Sequence, residues 1–364
     1  MKKWILILLL LIMGLSLFGQ NNDIWISFWN SDSTQIGYKD KNGTVKIEPK
    51  IYFHTFANKF ENVVIIMEEI DDHVESYYLT KEGKIFGRDS LYFFDNTPDC
   101  ESEGFIRFRD RKTDKAGMFN KNGDIAIPAE YNYLSRVNNG MIIALKGAER
   151  EYLDKYKEHW HWVGGQEMLI DTLNNVLIDN FPDTESLNFF SIEKTKAPHL
   201  ETIREYFPAK DGSYFSFINF EKEFKQWLFD SLLVNLTSEN LINASFDTIT
   251  WQSTKGWGKT DRQNFVTNNF EALKKGLSEI LNTDYSIGNS ILGLNLYTYK
   301  EAEFEKYFNN CGDSKNSIYP LMKIVVYYSK ENKYFTRYQN HYDFLRTDNG
   351  YKLISATIRN KEIK

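Results

Sequence analysis

A four-residue phrase recurs along the first half of the chain: Asp40-Lys41-Asn42-Gly43, Thr80-Lys81-Glu82-Gly83 and Asn120-Lys121-Asn122-Gly123. The three glycines stand 40 residues apart, twice in succession. Self-similarity at a fixed period predicts an array of one small unit, stacked because a single unit cannot bury its own apolar face. In the first unit Ile36-Gly37-Tyr38-Lys39-Asp40 reads as a strand and Lys41-Asn42-Gly43-Thr44 as a turn. Val45-Lys46-Ile47 is the return strand, stopped by Pro49. Asn-Gly predicts a type I′ hairpin turn, with positive φ at both central residues. The third unit repeats this from Ala116 through Asn122-Gly123 to Ile127-Pro128. Each of these two units runs on to a further apolar strand, Val63 to Met67 and Met141 to Leu145. The middle unit, Tyr77 to Phe86, lacks the proline. A fourth lies off the period at Met168 to Ile178, where Asn175 stands in for the turn glycine.

These stretches, Gly37 to Pro49 and Gly117 to Pro128, resemble the WG-repeat (KWG-repeat) proteins, over roughly Ile24 to Phe181. The tryptophan that names the family is replaced by Ile36 and Ala116. The resemblance implies an all-β repeat array, usually in exported bacterial proteins, with binding or interaction roles and no transferable catalytic residues.

The amino terminus fits export. Lys2 and Lys3 precede an apolar run from Trp4 to Met13, and a small residue stands at Gly19, the pattern of a cleaved secretory signal over residues 1–19. The run is short for a roughly 20-residue bilayer span, and no transmembrane span is expected after cleavage. Loss of Lys2 and Lys3 takes the formal charge from −6 to −8. Phosphate neutralisation needs clustered cations, so nucleic acid is not an expected partner. The expected location is periplasmic, outer-surface or secreted. Cys100 and Cys311 are 211 residues apart, in what read as different domains. A bridge is open to a secreted chain, but two unpaired thiols are the preferred reading.

The expected domains are a β-repeat domain over 20–182 and an α+β domain over 185–364. In the second, Pro198 to Tyr206 reads as a short helical segment. Asn219 caps a helix with a Phe220, Phe224, Trp227, Leu228, Leu232 stripe, and Thr260 or Asp261 starts another through Val266 to Leu281. Strands are expected at Ser245 to Gln252 and Ile291 to Leu296, then a short helix near Glu301 to Phe308. A closing antiparallel meander follows, with Ile354, Ala356 and Ile358 on one face. Helices followed by a run of strands is an α+β pattern. Its topology resembles an NTF2-like domain, which would imply a pocket between helices and a curled sheet.

Four clusters carry chemistry worth weighing. Lys255-Gly256-Trp257-Gly258-Lys259-Thr260 ends like a phosphate loop, but Ser253 stands where that motif needs glycine, and the stretch reads as a turn. His159-Trp160-His161-Trp162 puts two imidazoles on one face if extended. With Glu158 or Glu167 they would suit zinc or copper. The preferred reading is an aromatic-rich insertion, Glu149 to Gly165, contacting a partner. Glu68 to His73 reads as a solvated hairpin tip. His341 and Asp343, two apart on a strand and near Tyr327 and Tyr328, are the candidates for acid–base work.

The sequence therefore points to a non-catalytic binding protein of the cell envelope recognising a protein or glycan, without cofactor or metal. The alternative is a small-molecule-binding, hydrolytic or isomerising C-terminal domain.

Overall fold

The computed structural model describes residues 23–51, 57–71, 73–94, 96–182, 186–200, 202–254, 256–328, 338–359 and 363. The signal segment, residues 1–19, lies outside them. The chain is mostly β, built of many small antiparallel sheets.

The recurring phrase forms one kind of turn. In Asp40–Thr44 the amide of Gly43 donates to Asp40 O and that of Asp40 to Thr44 O. The same pair of bonds closes Thr80–Lys84, Asn120–Asp124 and Asp171–Asn175. Positive φ falls at the third loop residue, Gly43 (83°), Gly83 (84°), Gly123 (72°) and Asn174 (65°). This is a three-residue loop ending in a left-handed residue, not the two-residue type I′ turn that Asn-Gly suggests. The first residue decides it: Asp40 Oδ1 accepts the amides of Asn42 and Thr44, and Asn120 and Asp171 do the same. In the fourth turn the left-handed residue is Asn174, one before the expected Asn175. Asn175 instead bonds Asp171 through its amide and side chain. A fifth turn of this kind, with Gly212 at φ 80°, joins Arg204–Pro208 to Tyr214–Asn219. Residues 204–206 are thus strand rather than helix, paired with a strand that reaches Asn219.

Pro49 and Pro128 do not stop their strands. They sit inside Val45–Ile51 and Ile125–Tyr131, at register shifts where a bulge tolerates a missing N–H. Gly117 is needed for room rather than for φ: a Cβ there would lie 2.6 Å from Phe108 Cζ and 2.7 Å from Ile127 O. Gly37 meets Ile47 O in the same way, at 2.5 Å.

Successive sheets share apolar clusters. Val63, Ile65 and Tyr78 pack with Ile106, Phe108 and Phe119. Met118, Ile127 and Tyr131 pack with Leu134, Ile142 and Ile170. Met141, Ile143 and Phe181 pack with Leu187, Phe189 and Phe217. Each sheet buries one face against its neighbour, so no single unit has a core of its own.

Beyond Asn219 the chain turns helical. Helix α1, Phe220–Trp227, is capped by Asn219, whose side chain accepts from the Lys222 amide, and it continues as a π turn through Leu228–Leu232. A short helix α2, Ser238–Asn243, precedes the strand Ser245–Ser253. Helix α3, Arg262–Ser278, is capped by Asp261. The phosphate-loop-like stretch, read as a turn, is from Gly256 on the strand Gly256–Asp261 that feeds it, paired with Ser245–Ser253; Lys255 lies outside the described residues. The helices lie on a six-stranded sheet in which Ser245–Ser253 runs parallel to Gly350–Thr357 and all other pairs are antiparallel. The strand expected at 291–296 is instead Tyr285–Asn289. A bulge between Asp343 and Phe344 turns Leu353 and Ala356 towards the helices and Ile354 to the other face, so Ile354 does not share a face with Ala356 and Ile358. No helix among the described residues is long and apolar enough to cross a membrane.

The excursion 290–320 covers the other sheet face and returns to the N-terminal sheets. Cys311 is disulfide-bonded to Cys100, with Cα atoms 6.1 Å apart, so the reading of two free thiols is overturned. Around the bridge, the Lys59 amide donates to Asn310 O at 3.1 Å, Asn310 Nδ2 to Glu61 Oε2 at 3.1 Å, and Arg136 Nη1 to Asp313 Oδ2 at 2.7 Å. The two halves read as separate in sequence are covalently joined.

Candidate functional site

The insertion ahead of the fourth unit folds as a hairpin, Glu149–Tyr152 against Trp160–Val163. Alternation along the second strand turns Trp160 and Trp162 inward and leaves His161 and Val163 exposed. The two indoles meet edge to face at 4.8 Å. Both cover the Arg150 guanidinium, whose centre lies 4.1 Å from the Trp160 ring and 5.3 Å from that of Trp162. Arg150 Nη2 pairs with Asp114 Oδ2 at 2.5 Å, and Arg109 Nη1 reaches Asp114 Oδ1 at 3.1 Å, so two guanidiniums share one carboxylate. The loop 153–159 is ordered by Asp154, which accepts the amides of Tyr156, Glu158 and His159. Those bonds, the one from His159 first, hold its carboxyl below the usual range.

Under this hairpin lies an open cleft of about 1180 Å³. Its aromatic wall is Phe93, Phe94, Tyr133, Trp160 and Trp162. Phe94 is 68% exposed, far more than a ring with a core partner would be. Arg109, Arg150 and Gln166 supply donors, and Glu158 and Glu167 supply carboxylates. The short strands Phe93–Phe94 and Tyr133–Leu134 and the longer Gln166–Asp171 carry these groups, so the cleft lies where successive sheets meet.

All four residues singled out in the insertion, His159, Trp160, His161 and Trp162, line this cleft. The imidazoles do not converge. His159 Nδ1 faces Asp154 Oδ2 at 3.3 Å and His161 Nε2 faces Glu151 Oε2 at 3.1 Å. Their partners are thus Asp154 and Glu151, not the Glu158 and Glu167 that sequence proximity suggested. Among the described residues no group of three or more His, Cys, Asp or Glu is placed to hold a metal ion. Sequence reading missed Phe93, Phe94, Tyr133, Arg109 and Arg150; a pair of aromatics between turn residues is the one local signal that marks Phe93-Phe94.

The family model for the WG containing repeat matches residues 117–148. The chain carries a WG containing repeat. The WG repeat begins at the tight glycine, Gly117, and ends at Ala148, one residue before the hairpin that bears the two tryptophans. No curated protein matches the chain.

The second candidate pair lies far from the WG repeat in sequence. His341 and Asp343 do share one face of the strand Tyr338–Thr347, but it is the face away from the helices. Tyr342 and Phe344 between and beside them fill the helix–sheet core, where Phe224 meets Tyr351 at 4.9 Å and Phe344 at 5.5 Å. His341 Nε2 contacts Gln339 Oε1 at 3.1 Å, and burial, then Lys323 and Arg359, hold its pKa below the usual value. Tyr327 Oη lies 3.2 Å from Ser286 Oγ, while Tyr328 donates to Glu279 at the end of α3. Asp343 stands between Lys323 and Ser355 in the ladder. Its Oδ1 has no hydrogen-bond partner, and burial pushes its carboxyl up to about 6. A proton is therefore held more tightly in the folded chain, and stability falls as pH rises from about 4 to about 6. Asp343→Asn should gain on the parent chain by on the order of 2 kcal/mol across that window. Denaturant titrations of both chains at several pH values check it; a constant offset would show that Asp343 does not titrate there.

Proposed function

We propose that the chain is an exported, non-catalytic binding protein of the cell envelope. WG-like units over 20–182 form a scaffold, and an α+β part within 185–364, with NTF2-like topology, braces it. The single observation that carries this reading is the open cleft faced by Phe93, Phe94, Trp160 and Trp162. Half-exposed rings beside convergent hydrogen-bond donors suit an extended ligand, whose apolar faces lie on the rings while its polar edges meet the donors. Among the expected partners, protein or glycan, a glycan presents both kinds of surface at every unit along its length.

Trp160→Ala and Trp162→Ala should each weaken ligand binding about tenfold or more, as loss of a central aromatic anchor does. The full chain would be screened against envelope polysaccharides and their oligomers by intrinsic fluorescence, with melting temperature as the control for folding. Undiminished binding by both variants would move the site elsewhere.

A second reading, a small-molecule or hydrolytic site on the C-terminal sheet, has one observation in its favour, the unpartnered Asp343 Oδ1 beside His341. The same screen covers it: a ligand whose binding survives both tryptophan variants and is lost in Asp343→Asn would place the site there.

A further inference from the structure

The hairpin that bears the two tryptophans is jointed to the array rather than packed into it. Resting on the cleft-binding reading above, we infer that Glu149–Val163 is a hinged flap that opens and closes the cleft, with Asp114 as its latch. The ladder between Met141–Lys146 and Gln166–Asp171 ends at Lys146 opposite Gln166, and the hairpin's own ladder begins at Glu149 opposite Val163. The four residues between, Gly147, Ala148, Gly164 and Gly165, belong to neither ladder. Three of them are glycines at positive φ, 78°, 65° and 79°, where a chain re-aims at the least steric cost. The fourth, Ala148, is buried and gripped by Asn132, whose Oδ1 accepts its amide at 3.0 Å and whose Nδ2 donates to its carbonyl at 2.8 Å. The joint therefore has a fixed pivot flanked by permissive residues.

Beyond the pivot the hairpin is stiff in itself and loosely held. Asp154 ties its tip, Trp160 meets Trp162, and Glu151 pairs with His161 across the strands. Its two strands pair only with each other, and none of residues 149–165 is buried. Such a hairpin has no apolar anchor to fix its position on the body. The ion pair that ties it there joins Arg150 to Asp114, which stands outside the cleft wall and is itself steadied by Arg109. Both partners are partly exposed, which limits the bond to a fewfold bias between latched and released positions. Latching also leaves Arg150 Nε shielded from solvent without a hydrogen bond, a cost that release removes. Trp160 and Trp162 stack on the Arg150 guanidinium and travel with it, whereas Phe93 and Phe94 stay on the body. The flap therefore sets the gap between the two aromatic walls.

The test needs no ligand. Spin labels go on Lys155→Cys at the flap tip and Lys112→Cys on the loop that carries Asp114, in the full chain. Cys100 and Cys311 are bridged, so only the engineered thiols take label. Pulsed electron paramagnetic resonance should show two distances. Asp114→Asn keeps the left-handed backbone that Asp114 adopts (φ 54°) and removes the charge. It should raise the ratio of the longer distance to the shorter by roughly twofold to fivefold. Arg150→Gln should do the same, and the double variant should go no further, because the two side chains form one latch. Raising salt from about 50 to about 500 mM should move the parent chain in the same direction and leave the variants where they are. If Asp114→Asn lowers the melting temperature, Arg150→Gln is the variant read. One fixed distance, or a ratio that neither variant moves, overturns the flap and leaves the binding cleft standing. Shifts that add in the double variant overturn Asp114 as the latch. The tryptophan variants above test binding by themselves, so a failed ligand screen alongside a latch-dependent distance overturns the binding reading and not the moving flap.

Discussion

Arg107→Met should cost about 3–5 kcal/mol of folding free energy, the largest loss expected from any single side chain here. Arg107 and Asp99 are both buried in the N-terminal sheets. Nε donates to Asp99 Oδ2 at 3.0 Å and Nη2 to Oδ1 at 2.5 Å, while the Arg107 amide adds a third bond at 2.9 Å. Its guanidinium also lies 4.3 Å from the Tyr92 ring centre and reaches the Leu134 carbonyl, tying two sheets together. Removing the cation leaves Asp99 buried with only Arg136 for charge compensation. Removing both partners, as Asp99→Leu with Arg107→Met, should restore much of the loss, because the cost lies in the stranded charge rather than in the missing attraction. Against burial, Arg107 holds the Asp99 carboxyl down at about 2. Its contribution is therefore present above about pH 4 and lost as pH falls towards 2. Equilibrium unfolding in denaturant measures all three chains; a loss below about 1 kcal/mol for Arg107→Met would mean that solvent reaches the pair.

The disulfide carries the second large effect. Cys100→Ser with Cys311→Ser should cost about 4 kcal/mol, since a bridge between residues 211 apart closes a very long loop in the unfolded chain. The loss should have a local face as well. Hydrogen exchange should rise in 305–315, where Lys59 pairs with Glu305 and Arg136 with Asp313. Arg136 also reaches Asp99 at 3.1 Å, so the bridge and the buried pair are neighbours, and their losses should not add. A bridge-free chain with an unchanged unfolding midpoint and unchanged exchange in 305–315 would show that packing alone holds the excursion.

Much of this molecule is readable locally. Turn glycines, helix caps at Asn219 and Asp261, and the inward alternation of Trp160 and Trp162 each depend on residues a few positions apart. Where local reading went wrong, a neighbouring side chain had the deciding part. Asp40, Asn120 and Asp171 bond two amides across the loop and so select a three-residue turn, which moves the left-handed position in the fourth turn to Asn174. A bulge that tolerates Pro49 and Pro128 has no signature apart from its partner strand. Ile354 leaves the face of Ala356 and Ile358 only because the ladder shifts between Asp343 and Phe344.

The amino-acid sequence by itself determined the hairpin units, their stacking period, the helical second part and the aromatic insertion, because each rests on spacing within one segment. Tertiary structure alone decided that Cys100 meets Cys311, that Arg109 and Arg150 share Asp114, and that Phe93 and Phe94 face Trp160 and Trp162 across one cleft. Those meetings depend on which sheet faces stack and where the 290–320 excursion returns, and neither is encoded in the spacing of residues along the chain.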